Sequence, residues 1–253
     1  MSPGHTLTCV SDSKSAIDPI HLEGPMNPRM NQCLETLPDS DFELLRPHLQ
    51  LMSLSTGQTL YEAFSRPDKL YFPINALIAI RKDTPDGLSI DSATIGYEGV
   101  IGIASLTGNS YSHAIVAEPG LAYQLDRLHV QRLIDVHPMI TKMCMQASQL
   151  VIRKISMELL CNHYHQIPQR LARWILTRHD YLLADSLSVT HQAISDSLGI
   201  RREAVSLTLA NLSGVRVSRG HLVITDRTAL EHQSCECYFH LKQVHPNQTL
   251  LGF

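Results

Sequence analysis

Arg201, Arg202, Glu203 and Ser206 stand together directly after Gly199-Ile200. Each of these side chains can read a nucleic-acid base. An arginine fork matches guanine O6 and N7, a glutamate accepts from cytosine N4, and a serine hydroxyl serves either base edge. A second group, Arg216, Arg219 and His221, follows within a short alternating stretch. Cations of this kind meet phosphates, which set register and affinity rather than sequence choice. Thr190, His191 and Gln192 precede both groups and have the donors for further phosphate contacts. The surrounding charge fits an anionic partner. Gln169 to Arg227 holds eight Arg against five Asp or Glu, although the 253-residue chain carries a net charge of −3.

Such side chains work only if an element presents them. Thr190 can cap a helix with its hydroxyl. Ile194 and Leu198 then share one face at i, i+4 spacing. Gly199 accepts the left-handed backbone that ends a helix and turns the chain at once. Ile200 and Val205 bury, which leaves Arg201, Arg202, Glu203 and Ser206 outward at the start of a second helix. This is the layout of a helix-turn-helix. An ordinary surface helical hairpin shows part of the same pattern. The next segment argues against it: Val215 and Val217 alternate with Arg216, Arg219-Gly220 turns, and Leu222 to Ile224 returns, as in a wing.

Upstream, Pro138 opens a helix of roughly 25 residues, its ring pre-set for the first turn. Ile140, Cys144, Ala147, Val151 and Ile155 line one face, and Met143 and Leu150 widen it. A stripe this wide needs two partners. The simplest second partner is a symmetry mate, so these seven residues are the expected dimer seam. A helix sealed inside one subunit is the alternative. Pro168 starts a further helix, with Leu171, Trp174, Ile175 and Leu182 inward. Before all this, Pro38 to Leu51 reads as a helix. Strands are expected at Thr59 to Glu62, Leu70 to Phe72, Leu77 to Lys82, Leu88 to Ile95, Ala114 to Ala117 and Leu121 to Leu125, with Asp86-Gly87 as a hairpin turn. Asp126 is expected to cap a short helix ending at His137.

The fold class is therefore α+β. An antiparallel β-roll (a cupin-like jelly roll) serves as sensor over 36–136, a dimerisation helix spans 137–165, and a winged helix-turn-helix spans 166–240. Mobile tails are expected at 1–35 and 241–253. No apolar run reaches the ~20 residues that span a bilayer, and the N-terminus lacks the apolar core of a signal peptide. A cytoplasmic protein with no membrane partner is expected. The six cysteines show no disulfide spacing.

The order roll, long helix, winged helix resembles the Crp/Fnr family of bacterial transcription regulators over about Leu34 to Cys237. Its most specific stretches are Val189-Thr190-His191-Gln192, Leu198-Gly199-Ile200-Arg201-Arg202-Glu203, Ser218-Arg219-Gly220-His221 and Asp226 to Glu231. Tyr97 to Gly102 and Arg227 to Cys237 look like one subgroup. The resemblance implies a homodimer, double-stranded DNA as ligand, RNA polymerase as a protein partner, and base reading by Arg202 and Glu203. Ser206-Leu207 and Thr208 depart from the family pattern, which leaves the operator sequence open.

The resemblance also identifies what is missing. Cyclic-nucleotide binders of this fold carry a Gly-Glu pair and, about ten residues on, an Arg for the phosphate. Here the stretch runs Gly102-Ile103 to Ser112-His113, without that acid or that Arg. A buried phosphate without a cation is poorly compensated, so neither cAMP nor cGMP is expected. Either the roll senses an unknown effector, with Gly102, Ile103, Ser112 and His113 marking the expected pocket, or it is ligand-blind. Iron-sulfur ligation needs clustered cysteines, and Cys9 and Cys33 are isolated. Haem sensing needs an axial histidine, for which His113 or His129 could be proposed, and no cofactor is expected. His232, Cys235, Cys237 and His240 have metal-capable side chains, but a segment covering the wing domain explains them more simply, so no metal site is expected. Two other readings stay open: a roll acting on a protein partner, and a jelly-roll metal enzyme. The enzyme needs several His or Glu ligands on neighbouring strands, where the roll offers little beyond His113.

Overall fold

Short apolar runs cut by turn residues fold into two antiparallel sheets. The structure is a computed structural model that describes residues 26–182, 185–218 and 220–242. One sheet has the order β1-β7-β3, with β1 at Gln50–Leu54, β3 at Lys69–Pro73 and β7 at Gly120–Asp126. The other has the order β2-β6-β4-β5, with β2 at Thr59–Tyr61, β4 at Leu77–Asp83, β5 at Ser89–Ile95 and β6 at His113–Glu118. Successive strand residues point to opposite faces. Tyr71 therefore joins Leu54, Ile78, Ile95 and Val116 between the sheets, while Leu70 and Phe72 face out of the roll. That outer face is covered by α1 (Gln32–Glu35), α2 (Asp39–Leu45), α3 (Arg127–Leu133) and the first half of α4 (Pro138–Tyr164). The α+β class with an antiparallel roll is what the chain adopts.

Several local expectations need correction. Residues 1–25 of the expected tail lie outside the described residues, as do 243–253. Residues 28–35, however, form a 3-10 turn and α1. Asn31 is buried there and its Nδ2 donates to the carbonyls of Pro73 (2.9 Å) and Gly99 (3.0 Å), while Leu34 is fully buried. The helix expected to Leu51 stops at Leu45, because Pro47 has no N–H to continue it; Arg46–His48 is a 3-10 turn and β1 follows. Asp126 stands at the N-terminus of α3 but does not cap it. Its carboxylate pairs with Lys69 Nζ at 3.1 Å instead. Of Asp86-Gly87 only the glycine takes a positive φ, in a loop closed by the Leu88 carbonyl accepting from Thr84 N at 2.8 Å.

The seam of α4 needs the largest correction. Ile140, Met143, Cys144 and Ala147 are buried against the roll of their own subunit, and Leu150 and Val151 are partly covered, with Val151 packed on the core between the sheets. Of the seven residues only Ile155 is exposed. A different apolar row faces outward: Met145 (68% exposed), Ile152 (57%), Ile155 (39%) and Leu159 (70%). The helix thus has two apolar stripes, and the sequence pattern merged them.

After α4 come α5 (Ile167–Leu182), β8 (Ser186–Ser188), α6 (His191–Leu198), α7 (Arg202–Asn211), β9 (Val215–Ser218), β10 (His221–Ile224), α8 (Arg227–Gln233) and α9 (Cys237–Lys242). Their core holds Leu171, Trp174, Ile194, Val205, Leu222 and Leu230. The small sheet has the order β8-β10-β9; β8 was not anticipated, and it takes Leu187 into that core. No helix among the described residues is long and apolar enough to cross a membrane.

Candidate nucleic-acid interface

The turn between α6 and α7 forms as the residue types require. Thr190 Oγ1 accepts from Ala193 N at 3.1 Å and caps α6. Gly199 ends that helix with φ +62°, and its N–H bonds to the Ser195 carbonyl. Room is as restrictive as backbone here, since a Cβ on Gly199 would lie 3.0 Å from Ile90 of β5. Ser195 Oγ donates to the Ile200 carbonyl and so closes the turn. Trp174 Nε1 donates to Ser197 Oγ at 2.7 Å, and the Arg178 guanidinium stacks on the Trp174 ring at 3.5 Å. Arg170 Nη2 donates to the Leu198 carbonyl at 2.6 Å. The Trp174 and Arg170 contacts tie α5 to the end of α6.

Val205 and Leu209 are the buried face of α7, one turn apart. Arg201, at the extended residue before the helix, and Arg202, Glu203 and Ser206 are all exposed. The side chains of Arg201, Arg202 and Glu203 have no hydrogen bond or ion pair among the described residues, so their polar groups are free to meet a ligand. Ser206 differs: its hydroxyl donates to the Arg202 carbonyl at 3.2 Å and lies 2.9 Å from His191 Nδ1. His191 and Ser206 thus tie α6 to α7. Gln192 Nε2 donates to Asp196 at 2.7 Å, which fixes it along α6. Arg216 on β9 and His221 on β10 are exposed on the wing, and Arg219 lies outside the described residues. Sequence reasoning gave Leu207 no role, yet it is 69% exposed on the same helix. An apolar side chain there suits a thymine methyl; its signal was an apolar residue one turn beyond Glu203.

The expected effector residues are each engaged within the fold. Gly102 takes φ +90°, and the Lys69 carbonyl lies within 2.5 Å of where a Cβ would stand, so both backbone and room require glycine there. Ile103 begins a 3-10 turn and packs against the outer core of the roll. His113 is held at both ring nitrogens, by Glu62 (2.7 Å) and Asp83 (2.8 Å), and Ser112 bonds to its neighbour Ser110. A cavity of about 350 Å³ lies elsewhere, between Tyr97 and Glu98 of the roll, Arg153 and Lys154 of α4, and Asp180 and Tyr181 of α5. Burial pushes the Cys33 thiol up to about 12 and Cys144 up to about 11, so both are inert packing groups.

An antiparallel roll is thus joined through a long helix to a winged helix-turn-helix, with Arg201, Arg202 and Glu203 exposed at the start of its second helix. Residues 169–233 match the Crp-like helix-turn-helix domain. Among solved structures the chain is similar to FixK2 from Bradyrhizobium japonicum (16% identity, TM-score 0.63, covering 74% of this chain and 98% of that one). It is also similar to a CRP-family transcriptional regulator from Thermus thermophilus (21%, 0.61, 72% and 96%) and to the c-di-GMP-responsive global regulator CLP from Xanthomonas campestris (13%, 0.59, 75% and 100%). A search of the curated proteins found no match. The chain therefore has the fold of the Crp/Fnr transcription regulators, with a Crp-like helix-turn-helix domain at its C-terminal end. The jelly-roll enzyme reading finds no support in these comparisons.

Proposed function

We propose that this chain is a homodimeric, sequence-specific DNA-binding regulator that presents two copies of α7 to successive major grooves. The observation that carries this reading is the pair Arg202 and Glu203, exposed and unpaired in the first turn of a helix whose other face is fully packed. Arg202 reads guanine, Glu203 accepts from cytosine or orients Arg202, Arg201 extends the contact, and Leu207 meets a thymine methyl. Ser206 acts chiefly by holding His191, which lies with Thr190 and Gln192 near the phosphates; Arg216 and His221 anchor the wing. The outward row Met145, Ile152, Ile155 and Leu159 supports the dimer. Half-sites then stand about 34 Å apart on a near-palindromic operator. An effector that moved α4 relative to the roll would change that spacing. Contact with RNA polymerase is part of the same proposal.

Selection from random double-stranded oligonucleotides with the purified protein tests the reading. Enrichment of an inverted repeat is expected. Recovery of no sequence above background overturns it and favours a roll that acts on a protein partner.

A further inference from the structure

Three cysteines and a histidine converge where the long helix ends. Cys161 lies in the last turn of α4, His165 is the residue that follows that helix, Cys235 lies between α8 and α9, and Cys237 opens α9. One donor atom from each, three Sγ and an imidazole nitrogen, all lie within 4.8 Å of one another. Cys161 Sγ is 3.5 Å from Cys235 Sγ, and Cys237 Sγ is 3.6 Å from His165 Nδ1. All three cysteines are buried.

These distances suit one tetrahedral ion. Zinc takes thiolate sulfur at about 2.3 Å and imidazole nitrogen at about 2.0–2.1 Å, which sets its donors roughly 3.5–3.8 Å apart on a tetrahedron. The partners behind the donors fit as well. Glu236 Oε1 accepts from His165 Nε2 at 3.1 Å, which leaves Nδ1 directed at the sulfurs. A carboxylate behind a histidine is the usual way to fix the tautomer of a metal ligand. The tripeptide Cys235-Glu236-Cys237 thus supplies two ligands and the group that orients a third. Three thiolates around a divalent ion leave one negative charge; two buried guanidiniums lie on the neighbouring α5, Arg170, which donates to the Leu198 carbonyl, and Arg173, which is paired with Glu158 at 2.6 and 2.7 Å. The Nε atoms of both have no hydrogen-bond partner among the described residues. An iron-sulfur cluster needs more room than four donors already in mutual contact can give.

We propose that Cys161, His165, Cys235 and Cys237 bind one zinc ion that clamps the end of the DNA-binding domain to the end of the central helix. The expectation of no metal site is revised accordingly, and so is the candidate set. His232 and His240 do not join the group; Cys161 and His165 come instead from more than seventy residues upstream. The ion pins α9 to α4, at the residue where α4 ends before α5.

The test is metal content of the full-length protein, purified under reducing conditions from zinc-replete culture. One zinc per chain is expected by mass spectrometry. Replacement by Co(II) should give thiolate charge-transfer bands and the visible bands of a tetrahedral site. Cys235→Ser with Cys237→Ser should abolish both, and Glu236→Gln should weaken zinc affinity about 10–100-fold while the fold persists. A folded wild-type protein without zinc that gives no tetrahedral Co(II) spectrum overturns the proposal. So does a Cys161–Cys235 disulfide in that reduced preparation, or zinc content unchanged in the double variant. Should the double variant fail to fold, the wild-type cobalt spectrum still decides. None of these readouts depends on DNA binding.

Discussion

Arg202 is exposed and its guanidinium has no partner among the described residues, whereas nearby polar groups are occupied. Ser206 is committed to His191 and to the Arg202 carbonyl, and Gln192 to Asp196. Arg202→Ala should therefore weaken binding to the preferred operator by about 1–3 kcal/mol and relax specificity at one base pair. Arg216→Ala should weaken binding to all sequences alike and reduce the salt slope by about one. Fluorescence anisotropy across a salt series separates the two, and an Arg202→Ala protein with unchanged operator affinity would refute base reading by this residue. The types and spacing of 201–203 were legible in the sequence because free side chains need no partner. The His191–Ser206 contact was not, because its two residues stand fifteen apart across a turn. A second residue-scale expectation concerns Glu98. Burial alone would raise its carboxyl, but Lys154 outweighs burial, Tyr181 Oη also donates to it at 2.7 Å, and it is held below the usual range. A depressed acid contributes stability that is full above its unfolded value, about 4.3, and is lost as pH falls through the folded one. In Lys154→Met that counter-charge is gone and burial dominates. Urea midpoints measured against pH should then show the Glu98 contribution reversed: a carboxyl raised above its unfolded value destabilises the fold at neutral pH, and that loss is relieved as pH falls through the raised value.

At the scale of elements, α4 shows where a sequence pattern misleads. Ile140, Met143, Cys144 and Ala147 have the spacing of a seam, and they are one; their partner is the roll. Periodicity reports that a face is buried but not against what. The row that faces outward repeats at seven residues through Met145, Ile152 and Leu159, with Ile155 between. A seven-residue repeat is what a left-handed helix pair requires. Each such side chain contributes about 1.5–3 kcal/mol when buried, and a two-fold axis counts it twice. If the proposed dimer uses this row, Leu159→Asp should weaken it by roughly a hundredfold or more, and operator binding should fall with it. Cys144→Asp should instead unfold the roll side of the subunit. Sedimentation at several protein concentrations distinguishes them; a Leu159→Asp dimer as tight as the wild type would remove this row from the interface. The helix-turn-helix was legible because it is local, with its cap, left-handed glycine and buried pair all inside twenty residues. Strands β1 and β8 were not, because each is defined by a distant partner, β7 for one and β10 for the other.

Across the whole molecule, the DNA-binding domain does not hang free but rests on the roll. Gly199 lies against Ile90, Tyr181 reaches Glu98, and Arg178 of α5 donates to Glu118 of β6 at 3.1 Å. The last contact is a buried ion pair. Burial raises the Glu118 carboxyl despite Arg178, and it lowers the Arg178 guanidinium despite Glu118. Both shifts lean toward the neutral forms, so desolvation offsets much of the attraction. Such a pair adds little net stability, yet removing one partner strands the other and costs about 3–5 kcal/mol. Arg178→Met should therefore loosen the two domains, with a second thermal transition and a larger radius in X-ray scattering. Adding Glu118→Leu removes the stranded charge and should restore most of the loss, because an apolar pair of similar volume replaces an ion pair at little cost. If Arg178→Met unfolds in one transition at the wild-type temperature, the pair does not hold the domain. The same comparison on operator DNA then shows whether undocking aids or hinders binding. A gain in affinity with Arg178→Met that the double variant reverses would mean that the docked arrangement restrains the DNA-binding domain.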